Sequence, residues 1–303
     1  MDKSGKFELN EIKELVQLNP QVLFVKNSDE AFAFCEKLAL SHYENFPVGS
    51  ILIQKQLRKH FYSIYAFSRI ADDIADENYE ISKEERINFL DLFENNLLRV
   101  IEKKEKSNNP ILLALSKTIE AKKLPIEPFQ KLIKAFKMDI NFVQAETLDD
   151  LITYCQYSAN PIGELILRLY DNFNEETAKR SDAITSALQL LNFWQDLSRD
   201  IPNGRIYIPK NIIEEYNLKN ENRIDKTIQI LLIYSEKLLN FGKDLPDFIK
   251  DLRLKYELKL IINGGFAILK KEYKLGKELI NIRPKLSKLD YLGILLKSIL
   301  WKF

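Results

Sequence analysis

The residues of this chain best able to do chemistry are two groups of acidic and amide side chains. They are Asp72-Asp73-Ile74-Ala75-Asp76 and Asn192-Phe193-Trp194-Gln195-Asp196-Leu197-Ser198-Arg199-Asp200. Each repeats an oxygen ligand every four residues inside an otherwise apolar, helix-like stretch, so the carboxylates of each leave one helical face. Like charges crowded on a core-facing stripe are costly unless a cation sits among them. Magnesium takes hard oxygen ligands, accepts one or two carboxylates per ion and completes its shell with water and phosphate. If the two helices face each other, their stripes suit a diphosphate bridged by two or three magnesium ions better than a closed structural cage. Asp72, Asp76, Asn192, Asp196 and Asp200 are the expected metal ligands. Asp73, turned by about 100° from Asp72, is expected in an outer shell or an ion pair. Arg69, three residues before Asp72, can reach the same diphosphate or the aspartates themselves.

A solvated helix face laced with salt bridges is the plain alternative for either cluster. The neighbouring residues count against it. The first cluster follows Phe61-Tyr62-Ser63-Ile64-Tyr65-Ala66-Phe67, and Asp196 follows Leu188-Gln189-Leu190-Leu191-Asn192-Phe193-Trp194, both core-like runs. A di-iron carboxylate bundle needs Glu-x-x-His motifs, which neither His42 nor His60 completes. No Gly-x-Gly-x-x-Gly or Gly-Lys-Ser/Thr signature marks a nucleotide site.

The elements that must carry these residues read as helices throughout. Nine glycines are spread among long runs of Leu, Ile, Lys and Glu, without period-2 strands. A long helix over residues 50–76 holds the first cluster near its C-terminal end. Ser82 before Lys83-Glu84-Glu85 reads as an N-cap for a helix toward residue 103. Pro110, Pro125 and Pro128 punctuate two shorter helices. Residues 148–157 and 162–170 form a helix broken at Asn160-Pro161, and residues 175–198 one that stops before Pro202-Asn203-Gly204. Helices over 223–242, 247–275 and 286–303 complete an all-α bundle around a central apolar cavity. With no linker or repeat, residues 29–303 read as a single domain behind an N-terminal extension, residues 1–28, whose role is unread.

Composition narrows the function. With 45 Lys and Arg against 44 Asp and Glu, the net charge of +1 gives no pull toward nucleic acid. Cys35 and Cys155 fit neither a zinc ribbon nor a disulfide framework and read as buried thiols. There is no signal-peptide core and no span of roughly 18 apolar residues. A cytoplasmic protein is expected, peripheral at most to the inner membrane face. The last stretch mixes Leu289, Leu292, Leu295, Leu296, Ile299, Leu300 and Trp301 with Lys285, Lys288, Lys297 and Lys302. It is either an interfacial membrane helix or a closing helix of the bundle.

At these residues the chain resembles the squalene and phytoene synthase family of head-to-head prenyl synthases. Tyr65-Ala66-Phe67-Ser68-Arg69-Ile70-Ala71-Asp72-Asp73-Ile74-Ala75-Asp76 is similar to the family's first aspartate-rich motif. Gln189 through Asp200 is similar to its second, and Gly204-Arg205-Ile206-Tyr207-Ile208-Pro209 to the segment that follows. Within the family, the likeness is to bacterial hydroxysqualene synthases, on His42-Tyr43-Glu44-Asn45-Phe46-Pro47, Tyr154-Cys155-Gln156-Tyr157-Ser158-Ala159-Asn160-Pro161-Ile162-Gly163 and Asn192-Phe193-Trp194-Gln195-Asp196. Phytoene and dehydrosqualene synthases usually carry Val-Ala-Gly where this chain has Ser158-Ala159-Asn160, and commonly a basic residue in place of Gln195.

The resemblance implies an all-α isoprenoid synthase fold and magnesium-dependent loss of diphosphate from presqualene diphosphate, with water capturing the carbocation to give hydroxysqualene. NADPH is not expected. Handover of the substrate from a presqualene diphosphate synthase is a further expectation. The resemblance places Arg69, His42, Asn45, Arg205 and Tyr207 near the diphosphate, and Tyr65, Tyr154 and Gln189 along the pocket. Ser158 and Asn160, at the helix break, are candidates to hold the capturing water. The runner-up is a synthase that joins two prenyl diphosphates, making presqualene diphosphate, squalene or phytoene. A catalytically inactive assembly subunit is the alternative from another class, and intact aspartates argue against it.

Overall fold

The computed structural model describes residues 7–41, 53–75, 81–216 and 221–300, and among them every regular element is a helix. The chain divides into two compact units, Met1–Asn141 and Phe142–Phe303.

The first unit contains α1 (Leu9–Leu15), α2 (Ser28–Ser41), α3 (Lys55–Ala75), α4 (Lys83–Ile101), α5 (Pro110–Lys122) and α6 (Glu127–Ile140). Helix α3 is its centre, packed by α2, α4, α5 and α6. Leu57, Ile64, Phe67, Ile70, Ala71 and Ile74 supply its buried stripe at mostly three- and four-residue steps. Phe67 stacks on Phe93 of α4, with ring centroids 5.0 Å apart, and meets the edge of Phe129 of α6 at 5.5 Å. The expected cap of α4 is present in full. Ser82 Oγ accepts from the Glu85 N–H, and the Glu85 carboxylate accepts from the Ser82 N–H, both at 3.1 Å.

Part of the segment without an assigned role is built into this unit. Ile12, Leu15 and Val16 are fully buried. Asn109, which caps α5, also donates from Nδ2 to the carbonyls of Leu15 and Gln17 at 2.7 and 2.8 Å. Asn96 Nδ2 donates to the carbonyl of Val16 at 2.9 Å. These bonds satisfy carbonyls that the short α1 leaves open at its C-terminal end.

The second unit contains α7 (Leu148–Ser158), α8 (Asn160–Leu169), α9 (Glu175–Gln195), α10 (Leu197–Asp200), α11 (Lys210–Tyr216), α12 (Glu221–Gly242), α13 (Leu252–Leu275) and α14 (Lys288–Leu300). Short 3-10 turns at Leu245–Phe248 and Gly276–Ile280 flank α13. Helix α9 is central here, packed by α7, α8, α12 and α13. Trp194 is fully buried, and its Nε1 donates to Ser235 Oγ of α12 at 3.0 Å. The expected break between α7 and α8 falls at Ala159, with Pro161 in the first turn of α8, where its missing N–H costs nothing. A Cβ on Gly163 would press on Ser181 Oγ and Thr185 Cγ2, so glycine there lets α8 lie against α9 without displacing these side chains. Helix α13 starts later than its periodicity suggests. Leu245–Phe248 takes a 3-10 turn and Asp251 caps α13, its Oδ1 accepting from the Leu254 N–H at 2.8 Å.

Candidate active site

Each acid cluster lies at the C-terminal end of its unit's central helix. That is the negative end of the helix dipole, where unpaired carbonyls already concentrate partial negative charge. Carboxylates there are unfavourable by position as well as by crowding, and each end gathers cations.

At the end of α3 the side chain of Asp73 is 1% exposed and that of Asp72 is 59% exposed. Arg69 Nη2 pairs with Asp73 Oδ1 at 2.7 Å, and its Nη1 stands 3.7 Å from Asp72 Oδ2. Arg69 thus grips the inner aspartate and leaves the outer one open to solvent. A second arginine serves the backbone: buried Arg86 donates from Nη1 to the carbonyl of Ala75, the last residue of α3, at 2.9 Å. One turn before Arg69, half-buried Tyr65 has its hydroxyl pKa raised by burial, with Arg69 opposing and Asp72 and Asp73 adding to the rise. Asp76, His42 and Asn45 lie outside the described residues.

At the end of α9 the expected continuous helix over residues 175–198 is interrupted. Helix α9 stops at Gln195; Asp196 takes φ −98° and ψ 5°; α10 follows. The hydrogen-bond ladder survives the interruption. The Asp196 N–H donates to the carbonyl of Asn192 at 3.0 Å, and the Asp200 N–H to that of Asp196 at 2.9 Å, so the three oxygen-bearing residues stay in register. Asn192 is exposed, while Asp196 and Asp200 are partly buried.

Three arginines surround these two acids. Arg283 meets both oxygens of Asp196, Nε on Oδ1 and Nη2 on Oδ2, the latter at 3.3 Å. Arg199 Nη1 stands 3.9 Å from Asp196 Oδ1. Arg205 is brought in by a turn. Gly204 at φ +76° lets the chain reverse so that the Arg205 N–H donates to the carbonyl of Asp200 at 2.9 Å. Burial and the charge of Asp196 raise the pKa of Asp200, against the pull of Arg205, Arg199 and Arg283. The same contact holds the guanidinium of Arg283 more firmly charged, chiefly through its bond to Asp196. Gln195 Nε2 donates to the carbonyl of Pro284 at 2.7 Å, pinning the segment that delivers Arg283.

The aromatic residues form one group beside this end. Tyr207 stacks on Phe193 with centroids 3.8 Å apart and planes 11° from parallel; Phe142 and Tyr154 stand 5.2 Å from Tyr207 and 5.9 Å from Phe193. Gln189 is half-buried on α9, two turns before Asp196. Ser158 Oγ donates to the carbonyl of Tyr154 at 3.2 Å. Asn160 is buried, and its Oδ1 accepts from Thr185 Oγ1 and Ser186 Oγ, both at 2.9 Å, tying the start of α8 to α9. Sequence reasoning did not pick out Arg283. Its only local mark is the Arg283-Pro284 step after a helix end, which carries no hint of a partner 87 residues away.

Among the described residues no three His, Cys, Asp or Glu side chains converge as a closed metal cage. The donors at the end of α9 suit an open site instead. Two carboxylates and an amide oxygen are the number magnesium takes from protein when phosphate and water complete its shell. Arg283 already spans both oxygens of Asp196 as a cation would.

The model for squalene/phytoene synthases matches residues 40–290. The hydroxysqualene synthase of Sinorhizobium fredii is 32% identical over 234 residues, covering 74% of this chain and 78% of that protein. A phytoene synthase of Mycobacterium tuberculosis is 29% identical over 66% of this chain and 63% of its own length. Among solved structures, the squalene synthase HpnC from Alicyclobacillus acidocaldarius superposes with a TM-score of 0.75 at 35% identity, covering 82% of this chain and 95% of that one. A dehydrosqualene synthase in complex with ligand has a TM-score of 0.74 at 22% identity, over 90% of this chain and 96% of its own, a likeness of fold.

Proposed function

This chain belongs to the squalene/phytoene synthase family, and from that premise we propose that it converts presqualene diphosphate to hydroxysqualene with magnesium. The observation that carries the reading is Asp196 and Asp200 held among Arg283, Arg199 and Arg205 at the C-terminal end of α9. That arrangement mixes carboxylates for divalent ions with cations for an anionic leaving group.

Bound magnesium, two or three ions, would neutralise the charge that grows on the departing diphosphate. Asp72, Asp76, Asn192, Asp196 and Asp200 are the proposed ligands. The C–O bond breaks with its electron pair leaving on the diphosphate, the cyclopropylcarbinyl cation opens, and water adds and sheds a proton. Cations already aimed at the leaving group lower this barrier more than they stabilise bound substrate. Arg205 and Arg199, which approach the acids without the two-oxygen grip of Arg283, are the arginines assigned to the diphosphate, together with His42 and Asn45, while Arg69 is assigned to holding buried Asp73 beside the proposed ligand Asp72. Tyr65, Tyr154 and Gln189 are assigned to the substrate's pocket, Tyr207, expected near the diphosphate but stacked on Phe193, to the boundary between the two, and Ser158 and Asn160 to the region of water capture. No step consumes hydride, so NADPH is not required.

Support for the hydroxysqualene branch comes from relatives of that name at 32 and 34% identity, and from Gln195 at a position that is commonly basic in phytoene synthases. A second reading, condensation of two prenyl diphosphates, is favoured by the phytoene synthase relatives. One pair of assays separates them. Purified protein with presqualene diphosphate and magnesium, without NADPH, is expected to release hydroxysqualene by mass analysis and to leave farnesyl diphosphate untouched. Consumption of farnesyl diphosphate alone selects the condensing reading.

A further inference from the structure

Helix α14 is amphipathic the wrong way round for a closing helix. Its buried positions are Ile294 and Ser298, and Ser298 Oγ is held by Asn263 Nδ2 of α13 at 2.8 Å. Its large apolar side chains point outward: Leu289 is 80% exposed, Leu292 52%, Leu296 50%, Ile299 59% and Leu300 75%. Leu289, Leu292, Leu296 and Ile299 recur at three- and four-residue steps, so they form one stripe opposite Ile294 and Ser298. Isolated exposed leucines are unremarkable in a soluble protein, but a continuous outward stripe on one short helix is a docking surface.

The charge around the stripe selects what docks. Residues 270–300 carry eight Lys and Arg against three Asp and Glu, in a chain whose net charge is only +1. Of the three acids, Glu272 is fully buried, and Asp290 is bonded to Lys271 at 2.8 Å and to Ser287 at 2.6 Å. Glu278 alone is exposed without such a pairing shown, and it lies outside α14. Lys285 is exposed three residues before the helix, and Lys288 and Lys297 are exposed on it. An apolar face with basic residues beside it is the pattern that lies in an anionic membrane interface. Among the described residues no helix is long and apolar enough to cross a membrane, so the contact is with one leaflet surface.

We propose that α14 is an interfacial helix that docks this protein on anionic lipid bilayers through Leu289, Leu292, Leu296 and Ile299, with Lys285, Lys288 and Lys297 meeting the headgroups. The inference stands on α14 alone and goes beyond the proposed reaction. It also has a consequence for the site. Arg283 and Pro284, bound to Asp196 and Gln195, lie four to five residues before the helix, so docking sets the acid end of α9 close to the lipid surface.

The test is co-sedimentation of the full chain with phosphatidylcholine vesicles, with and without phosphatidylglycerol. Three proteins are compared: the unaltered chain, the variant Leu292→Gln/Leu296→Gln/Ile299→Gln, and the variant Lys285→Glu/Lys288→Glu/Lys297→Glu. Analytical ultracentrifugation without lipid is run beside it. The unaltered chain is expected to pellet with anionic vesicles and to be released by salt. Each variant is expected to lose about a hundredfold or more in partitioning while keeping its far-UV circular dichroism, because every altered side chain is exposed. An unaltered chain that stays in the supernatant with anionic vesicles overturns the proposal. So does one that sediments as a dimer which the glutamine variant splits, because the stripe then meets a second copy. Equal binding to neutral and anionic vesicles overturns the role of the lysines.

Discussion

Helices α3 and α9 are both 21 residues long, both central to their units and both end in carboxylates, yet their counter-cations arrive by different routes. In α3, Arg69 reaches Asp73 from one turn away on the same helix. In α9, Arg283 reaches Asp196 from 87 residues away, on a segment tied down by Gln195. The first pair is buried on the acid side and fixed by helical spacing. The second is partly exposed on both sides, and its cation can leave without unfolding a helix. The difference separates an ion pair buried within one helix end from one that is partly exposed and joins two distant segments, the second being the one proposed to give way to a ligand.

The largest test of this contrast is catalytic. Asp196→Ala and Asp72→Ala are each expected to fold and to lose roughly a thousandfold in turnover of presqualene diphosphate, as removal of a group that stabilises transition-state charge does. Asp73→Asn is expected to act differently, lowering thermal stability rather than turnover alone, because Asp73 is buried against Arg69. Full activity in either alanine variant would break the assignment of the helix ends to magnesium.

Arg69→Gln should show the structural character of the first pair. Removing one partner of a buried ion pair costs about 3 kcal/mol, since the remaining charge keeps its desolvation penalty. Urea unfolding of the variant should show that loss equally with and without magnesium.

Much of this was legible in the sequence, for local reasons. The period of Leu57, Ile64, Phe67 and Ile74 announces α3, and Ser82 with Glu85 announces the start of α4, because both are set within one or two turns. The ion pair of Arg69 with Asp73 is one of the two outcomes that i,i+4 spacing allows. What was not legible depends on contacts distant in the chain. Helix α1 is seven residues long, too short to show a period, and is held by Asn96 and Asn109. The hydroxyls that meet Asn160 come from Thr185 and Ser186 of α9, and no spacing rule points to them. Arg283 belongs to the same class. A stop of α9 at Gln195 gives no signal either, since the apolar and acidic pattern runs on through Asp200.

A third carboxylate provides a control without any arginine. Glu272 on α13 is fully buried, and among the described residues neither of its oxygens has a hydrogen-bond partner. Burial pushes its pKa up to about 9 from 4.5, so the folded state keeps the proton that the unfolded state releases. Its contribution to stability is therefore fully present below the unfolded value and is lost as pH rises toward about 9. Melting temperature should fall between about pH 5 and pH 8, and Glu272→Gln should flatten that slope. An unchanged slope would place the titration elsewhere.

The smallest effect, and the one that separates the two helix ends most sharply, is expected for Arg283→Gln. The pair it breaks is partly exposed, with side chains 26 and 18% accessible, so the loss in the absence of metal should be about 1 kcal/mol. Asp196 and Asp200 would then repel each other with one fewer cation between them, since Arg283 is among the charges that lower the pKa of Asp200. On the proposed assignment of Asp196 and Asp200 to magnesium, a divalent ion on the same oxygens would replace the lost cation. Magnesium should therefore raise the melting temperature of Arg283→Gln more than that of the unaltered chain, and calorimetric titration should show tighter magnesium binding by the variant. Arg69→Gln should show neither gain. Equal magnesium responses in both variants would mean that the two arginines do the same work, and the distinction between a structural and an exchangeable ion pair would fail.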